Sequence, residues 1–364
     1  MLAMALLLLM LIPLIPAFTE LYLKQDAEPV RIGKFSYLDI DSYSRGFENF
    51  LKNKFKGLIG PDCSFIEPEN KEGTFNNQPY LYLKKPVARQ ELVTDIEKNM
   101  LFNTRMILSE PDIELPSNML YESEVFAKGS LATGRNNYLK AAMAHGDVFV
   151  QPNTEVLRWI SSRGTLSAHG PATFHGRLSA AQKIIADNNI LFKWMAAPEI
   201  ITNPSETVST IAADYRESIS YNDTPITELE HIDLIEILGN VAFIRGNLTP
   251  PPNWRSSLDI IATGNITLME NTILSGKVKA NGDLITGHHC KLMQSAVSSK
   301  SILIREGSFV KGPLLAEDII EIIAATVGEL EQPSSIYARE VSLIGSCRVF
   351  GSIYAEDKGE VRKI

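Results

Sequence analysis

Six glycine-led phrases recur at a step of 17 or 18 residues. They are GSLAT (129–133), GDVFV (146–150) and GTLSA (164–168), then GNLTP (246–250), GNITL (264–268) and GDLIT (282–286). A second ladder runs beside the first: GRLSA (176–180), GKVKA (276–280), SAVSS (295–299), GPLLA (312–316), SSIYA (334–338) and GSIYA (351–355). Wherever both can be followed, the offset between them is 12 or 13 residues. The period is too short for leucine-rich or helical repeats, and a β-sandwich has no reason to keep a constant step. One coil of a single-stranded β-helix, built from three short strands and tight corners, fits it. The sequence therefore predicts an all-β fold, a β-solenoid with 17–18 residues per coil.

In such a coil successive side chains alternate between lumen and solvent. The aliphatic residue two positions after each glycine points inward, and the small Ala or Thr beyond it fits where the wall turns. Glycine is expected at the corners because it takes unusual dihedrals at little steric cost. Backbone hydrogen bonds then run between coils about 4.8 Å apart. The stretches SILIREGSFVKGPLLA (301–316) and EVSLIGSCRVFGSIYA (340–355) carry the same alternation.

The repeats divide the chain. Residues 1–19, MLAMALLLLMLIPLIPAFT, are uncharged and end at Glu20. At 1.5 Å per residue they nearly span the roughly 30 Å of a bilayer core, and membrane helices tolerate prolines such as Pro13 and Pro16. No positive region precedes the run, as a signal peptide would require. Lys24, Arg31 and Lys34 follow it. The expectation is a single-pass anchor in the inner, cytoplasmic membrane with the bulk of the chain in the cytoplasm. Residues 20–34 read as a juxtamembrane linker and 35–115 as a small mixed α/β domain. Within that domain Phe47, Phe50, Leu51 and Phe55 predict an amphipathic helix over 41–59, and 87–102 is a second helical candidate. A first solenoid segment covers 120–198 and a second covers 239–358. Between them, 199–238 is an acidic insertion with nine carboxylates against Arg216, and ITELEHIDLIEIL (226–238) has partly helical spacing. LTPPPNWRSS (248–257) is too proline-rich for an interior strand.

Little in the sequence points to chemistry. An apolar fraction of 45% excludes global disorder, and a net charge of −8 excludes a general nucleic-acid binder. Cys63, Cys290 and Cys347 lack metal-ligand spacing and do not form a disulfide framework. Phosphate-loop, dinucleotide and zinc-protease motifs are missing from the sequence. His145, His169 and His175 sit near repeat corners, and His231 sits in the acidic insertion. His288, His289 and Cys290 are neighbours, but adjacent strand residues face opposite ways. No catalytic, cofactor-binding or metal residue is assigned. Trp159, Trp194 and Trp254 are too irregularly spaced for an aromatic ladder.

The phrases GKVKANGDLI (276–285), GPLLAEDIIEI (312–322) and GSIYA (351–355) resemble those of the bactofilins, the polymer-forming cytoskeletal proteins of bacteria. The resemblance covers about residues 120–198 and 240–358. It implies a right-handed β-helix that polymerises end to end without nucleotide and serves as a scaffold at membranes. The anchor, the folded region before the repeats and the interruption within them depart from the short family pattern. In these the chain is similar to larger, membrane-anchored relatives associated with surface-polysaccharide loci. Its implied partners are further copies of itself, envelope or polysaccharide-synthesis proteins, and membrane lipid through the N-terminus.

A solenoid ends in a coil with unpaired backbone groups, which must be capped or recruit another edge. The last recognisable coil reaches about residue 355, so Leu343, Val349, Phe350, Ile353 and Tyr354 are the candidate end-to-end interface. Two other functions stay open. One is a β-helix acyltransferase acting on a sugar or lipid-linked precursor, although the strict hexapeptide rhythm of that class is broken here. The other is a polysaccharide-binding solenoid.

Overall fold

The computed structural model describes residues 42–55, 59–60, 68–75, 77–97, 100–204, 224–229 and 233–364, all within one compact unit, Tyr37–Ile364. The anchor and linker expected at 1–34 lie outside the described residues. Among those described, no helix is long and apolar enough to cross a membrane. The chain winds into a β-solenoid of about 13 turns, with 55% of its residues in strands.

Each coil contributes to three faces, here A, B and C. The second sequence ladder is face A. Val278, Ala296, Leu314, Ile336 and Ile353 are successive partners in one parallel register and all point into the lumen. The first ladder is the face that follows A in each coil. Leu131, Val148, Leu166 and Ile184 stack there in the first half, and Leu248, Ile266, Leu284 and Ile302 in the second. Burying each such side chain stabilises the wall by about 1.5–3 kcal/mol. A regular aliphatic stack of this kind is therefore what sets the coil length.

The glycines of the first ladder have a different cause from the one expected. Of the six, only Gly246 has positive φ, +78°. At Gly264 and Gly282 the backbone is ordinary, but an added Cβ would collide with the side-chain oxygen of Asn247 or Asn265 one coil earlier. Those oxygens are committed. Asn247 Oδ1 accepts from the Asn265 N–H at 2.8 Å, Asn265 Oδ1 from the Asp283 N–H at 2.9 Å, and Asp283 Oδ1 from the Ser301 N–H at 3.2 Å. Asp112 and Asp147 do the same for Ser130 and Thr165, both at 2.7 Å. The glycine and the polar residue after it form one device. The polar side chain caps the next coil, and the missing Cβ makes room for it. Left-handed backbone is needed at another corner, between faces B and C. Asn118, Asn136, Asn153 and Asn189 take it in the first half, and Asn253, Asn271, His289 and Gly307 in the second.

The solenoid begins earlier than the repeats suggest. Strands Gln78–Leu83, Met100–Asn103 and Met106–Ser109, within the expected mixed domain, pair in parallel register with the coils that follow. The helix expected at 41–59 forms as Ser42–Lys54 (α1), with Lys52 and Lys54 placed favourably at its C-terminal end. Phe47 and Leu51 from α1, together with Phe55 just beyond it, are buried against the outer side of face A. Their neighbours there include Tyr80, Met106, Phe126 and Trp159. The second helical candidate does not form. Residues 89–92 make a 3-10 turn, and Asp95–Glu97 and Met100–Asn103 pair as an antiparallel hairpin. The helical pattern at 226–238 likewise gives a 3-10 turn, Ile226–Glu228, and a strand, Asp233–Leu238, which pairs with the first coil of the second half. In both places an open sheet edge competes with a short helix and wins.

Candidate functional site

The two halves of the solenoid run toward each other. The last coil of the first half is the strand Ile190–Thr202, and the last coil of the second is Arg348–Arg362. These two pair antiparallel on all three faces. Face C of the first half meets face B of the second, with Ile190 opposite Val361; face A meets face A, with Trp194 opposite Tyr354 and Met195 opposite Ile353; and face B of the first half meets face C of the second, with Ile200 opposite Val349. The lumen is continuous across this seam. Thr202 Oγ1 donates to Gly345 O at 2.6 Å and accepts from the Cys347 N–H at 2.9 Å, while Asn203 Nδ2 donates to Arg362 O at 2.8 Å. Glu199 ties Lys183 of its own half (2.7 Å) to Arg348 of the other (3.2 Å).

This changes the place of the candidate end-to-end interface. Leu343, Val349 and Ile353 are fully buried lumen residues, Phe350 is half-buried, and Tyr354 lies on the outer side of face A. The edge that the sequence leaves open is hydrogen-bonded to the same chain's residues 190–202. The outer ends lie elsewhere. At the first, Lys71–Phe75 caps face A and Asp95–Glu97 caps face C, both by antiparallel pairing. A cleft of about 490 Å³ opens beside the third strand, Ile113–Glu114, lined by Leu83, Val87, Leu92 and Leu115 among others. At the second, Asp233–Leu238 caps face A, and the buried Trp254 donates Nε1–H to Thr224 O at 2.9 Å. The proline-rich stretch 249–252 falls in this outermost coil, where missing N–H groups cost least.

The histidines do not converge. His169 Nδ1 lies 2.7 Å from Asp187 and His175 Nε2 2.6 Å from Glu155, each as an isolated surface pair. His289 fills a left-handed corner, while Cys290 points into the lumen, where burial pushes its thiol up to about 11. His231 lies outside the described residues. Among those described, no group of His, Cys, Asp and Glu is arranged to hold a metal ion. His145 packs under α1, where its Nε2 lies 2.9 Å from the buried Glu48 carboxylate, which also pairs with Arg163. Burial, and then the Arg163 charge, hold the His145 pKa below its ordinary value.

Sequence spacing missed an aromatic row on the outer side of face A. Trp159 and Trp194 occupy one column with Arg177 between them, its guanidinium 4.1 Å from the Trp194 ring centre. Across the seam Tyr354 meets Trp194 edge-on at 6.3 Å, and Tyr337 stacks on Tyr354 at 5.4 Å with planes 6° apart. Leu315 continues the column. The matching tyrosines of SSIYA and GSIYA were the available signal. Trp194 joins them only through an antiparallel seam that no repeat announces. Trp254 belongs to the core.

Together these features define a β-solenoid protein made of two coil stacks fused at their final turns. No family model, curated protein or solved structure matches the chain.

Proposed function

We propose that this chain is a membrane-tethered, polymer-forming scaffold that organises or localises cell-envelope or surface-polysaccharide machinery. The observation that carries the proposal is the seam. Two solenoid ends of this chain pair strand against strand on three faces, the kind of contact by which one coil edge recruits another. With that edge used internally, assembly between copies runs through the outer ends. There Lys71–Phe75 and Asp233–Leu238 each have a strand partner on one side only among the described residues. Residues 1–19 supply the tether, the body lies on the cytoplasmic side, and the right hand of the helix follows from the bactofilin resemblance.

Negative-stain electron microscopy of the full chain in detergent, across a concentration series without nucleotide, tests the assembly. Thin unbranched filaments are the expected result. Discrete single particles at every concentration would remove self-assembly from the proposal, and trimers would bring the acyltransferase alternative forward.

A further inference from the structure

One outer column crosses the seam without a break. Tyr138, Glu155, Thr173, Leu191 and Glu360 are successive register partners, all but the last on face C of the first half. A cleft of about 490 Å³ lies along this column, a size typical of small-ligand sites. The four coil spacings from Tyr138 to Glu360 make it about 19 Å long. Asn153 and Asn189, both exposed at left-handed corners, form one wall, and Arg362 continues that wall beyond the seam.

The lining decides what the cleft can hold. The side chains of Tyr138, Asn153, Thr173 and Asn189 make no hydrogen bond among the described residues. The charged groups, by contrast, already have partners. Glu155 lies 2.6 Å from His175 Nε2, and Glu360 lies 2.6 Å from Lys358 and 2.9 Å from Arg362. Free amides and hydroxyls, beside a tyrosine that is 38% exposed, suit a ligand without charge. Every strand of the column is paired on both sides, so no backbone edge is free to add a peptide strand. Glu155 and Thr173 separate Tyr138 from Leu191, so the continuous apolar stripe that a helix needs is missing.

We propose that this cleft binds an uncharged linear oligosaccharide lying along the solenoid axis. One pyranose ring rests against Tyr138, and hydroxyls meet Asn153, Thr173 and Asn189. A pyranose has an apolar ring face and many hydroxyls, and the rise of an extended glycan is close to one coil spacing. Successive rings therefore meet successive coils. The site binds without cleaving. Glu155 and Glu360 are three coil spacings apart, about 14 Å, whereas the paired carboxyl groups of glycosidases are roughly 5–9.5 Å apart. The inference stands whether or not the chain polymerises or is tethered.

The test is isothermal titration of the full chain, in a detergent without a sugar headgroup, with tetrasaccharides of α- and β-linked glucose, mannose, galactose and N-acetylglucosamine. Tetragalacturonate, which carries carboxylates, is the charged comparison. At least one uncharged tetramer should bind, and more tightly than its monosaccharide or tetragalacturonate. Tyr138→Ala should weaken that binding about ten-fold, and Asn153→Gly with Asn189→Gly about five-fold, with the circular dichroism of the parent chain retained. Glycine is the replacement because it keeps the left-handed corners. Phe149→Ala, at an exposed aromatic of face B, should leave binding unchanged. Failure of every uncharged tetramer to bind would overturn the proposal. So would a preference for tetragalacturonate, or equal affinity in the parent and the Tyr138→Ala chain.

Discussion

The repeat's most informative residue is the short polar one that follows each glycine, because it explains the glycine one coil later. Asn265 Oδ1 accepts from the Asp283 N–H at 2.9 Å and lies where a Cβ at residue 282 would sit. Gly282→Ala should therefore cost about 1–3 kcal/mol through overpacking, and Asn265→Ala about 1 kcal/mol through the lost hydrogen bond. Combined, they should cost clearly less than the sum, because removing the asparagine removes the clash. Urea melts of the single and double variants measure this coupling; strict additivity would mean that the glycine is there for some other reason. The G-D and G-N phrases were legible in the sequence, but their cause was not, since period alone does not show which atom of one coil rests on the next. Cys290 makes the same point for chemistry. Two adjacent histidines suggest reactivity, yet the thiol is buried and its pKa raised to about 11, so thiolate is scarce at pH 8. Iodoacetamide at that pH should leave Cys290 unmodified in the native chain and alkylate it in denaturant. Rapid native labelling would show that the thiol is accessible after all.

At the scale of elements, α1 was readable because Phe47, Leu51 and Phe55 repeat every four residues and have a wide apolar face to rest on. The segments 87–102 and 226–238 carry similar spacing but lie beside unpaired coil edges, and long-range strand pairing overrides a weak local preference. The docking of α1 also depends on a titratable group. His145 lies beneath it, bonded to Glu48, and burial together with Arg163 holds its pKa below 6.5. A histidine with a depressed native pKa favours the docked state in full above its free value. That contribution is lost as pH falls from about 6.5 through the native pKa, because the undocked state takes up the proton more readily. Hydrogen exchange of the α1 amides should accelerate progressively below pH 6.5 while the coils stay protected, and His145→Gln should flatten that dependence. Trp159, packed edge-on against Phe47 at 5.0 Å, reports the same event by fluorescence. A profile that is flat in the parent chain, or equally steep in the variant, would separate His145 from the docking of the helix.

For the whole molecule, the repeat made the coil and its faces legible but concealed how the halves meet. The ladder phrases look alike in both halves, so they suggest one solenoid interrupted and resumed in the same direction. Reversal at the seam rests on pairs such as Trp194 with Tyr354 and Ile200 with Val349, which are remote in sequence and have no common period. Asn203 is held at the seam, whereas Thr224 is held at the far end of the second half. An internal seam and an intermolecular one make different predictions for a disulfide across it. Ala196 and Ser352 are direct partners, and the Cα separation of opposed antiparallel residues, about 4.5–5.5 Å, lies within disulfide range. In a Cys63→Ser background, Ala196→Cys with Ser352→Cys should oxidise readily to a crosslink within one chain, seen as a faster-migrating monomer on a non-reducing gel at every protein concentration. A concentration-dependent ladder of dimers and higher species would show instead that these two ends meet between copies. In that case the seam itself, with Tyr354 and Val349 at its centre, would be the polymer contact, and the outer ends would be closed.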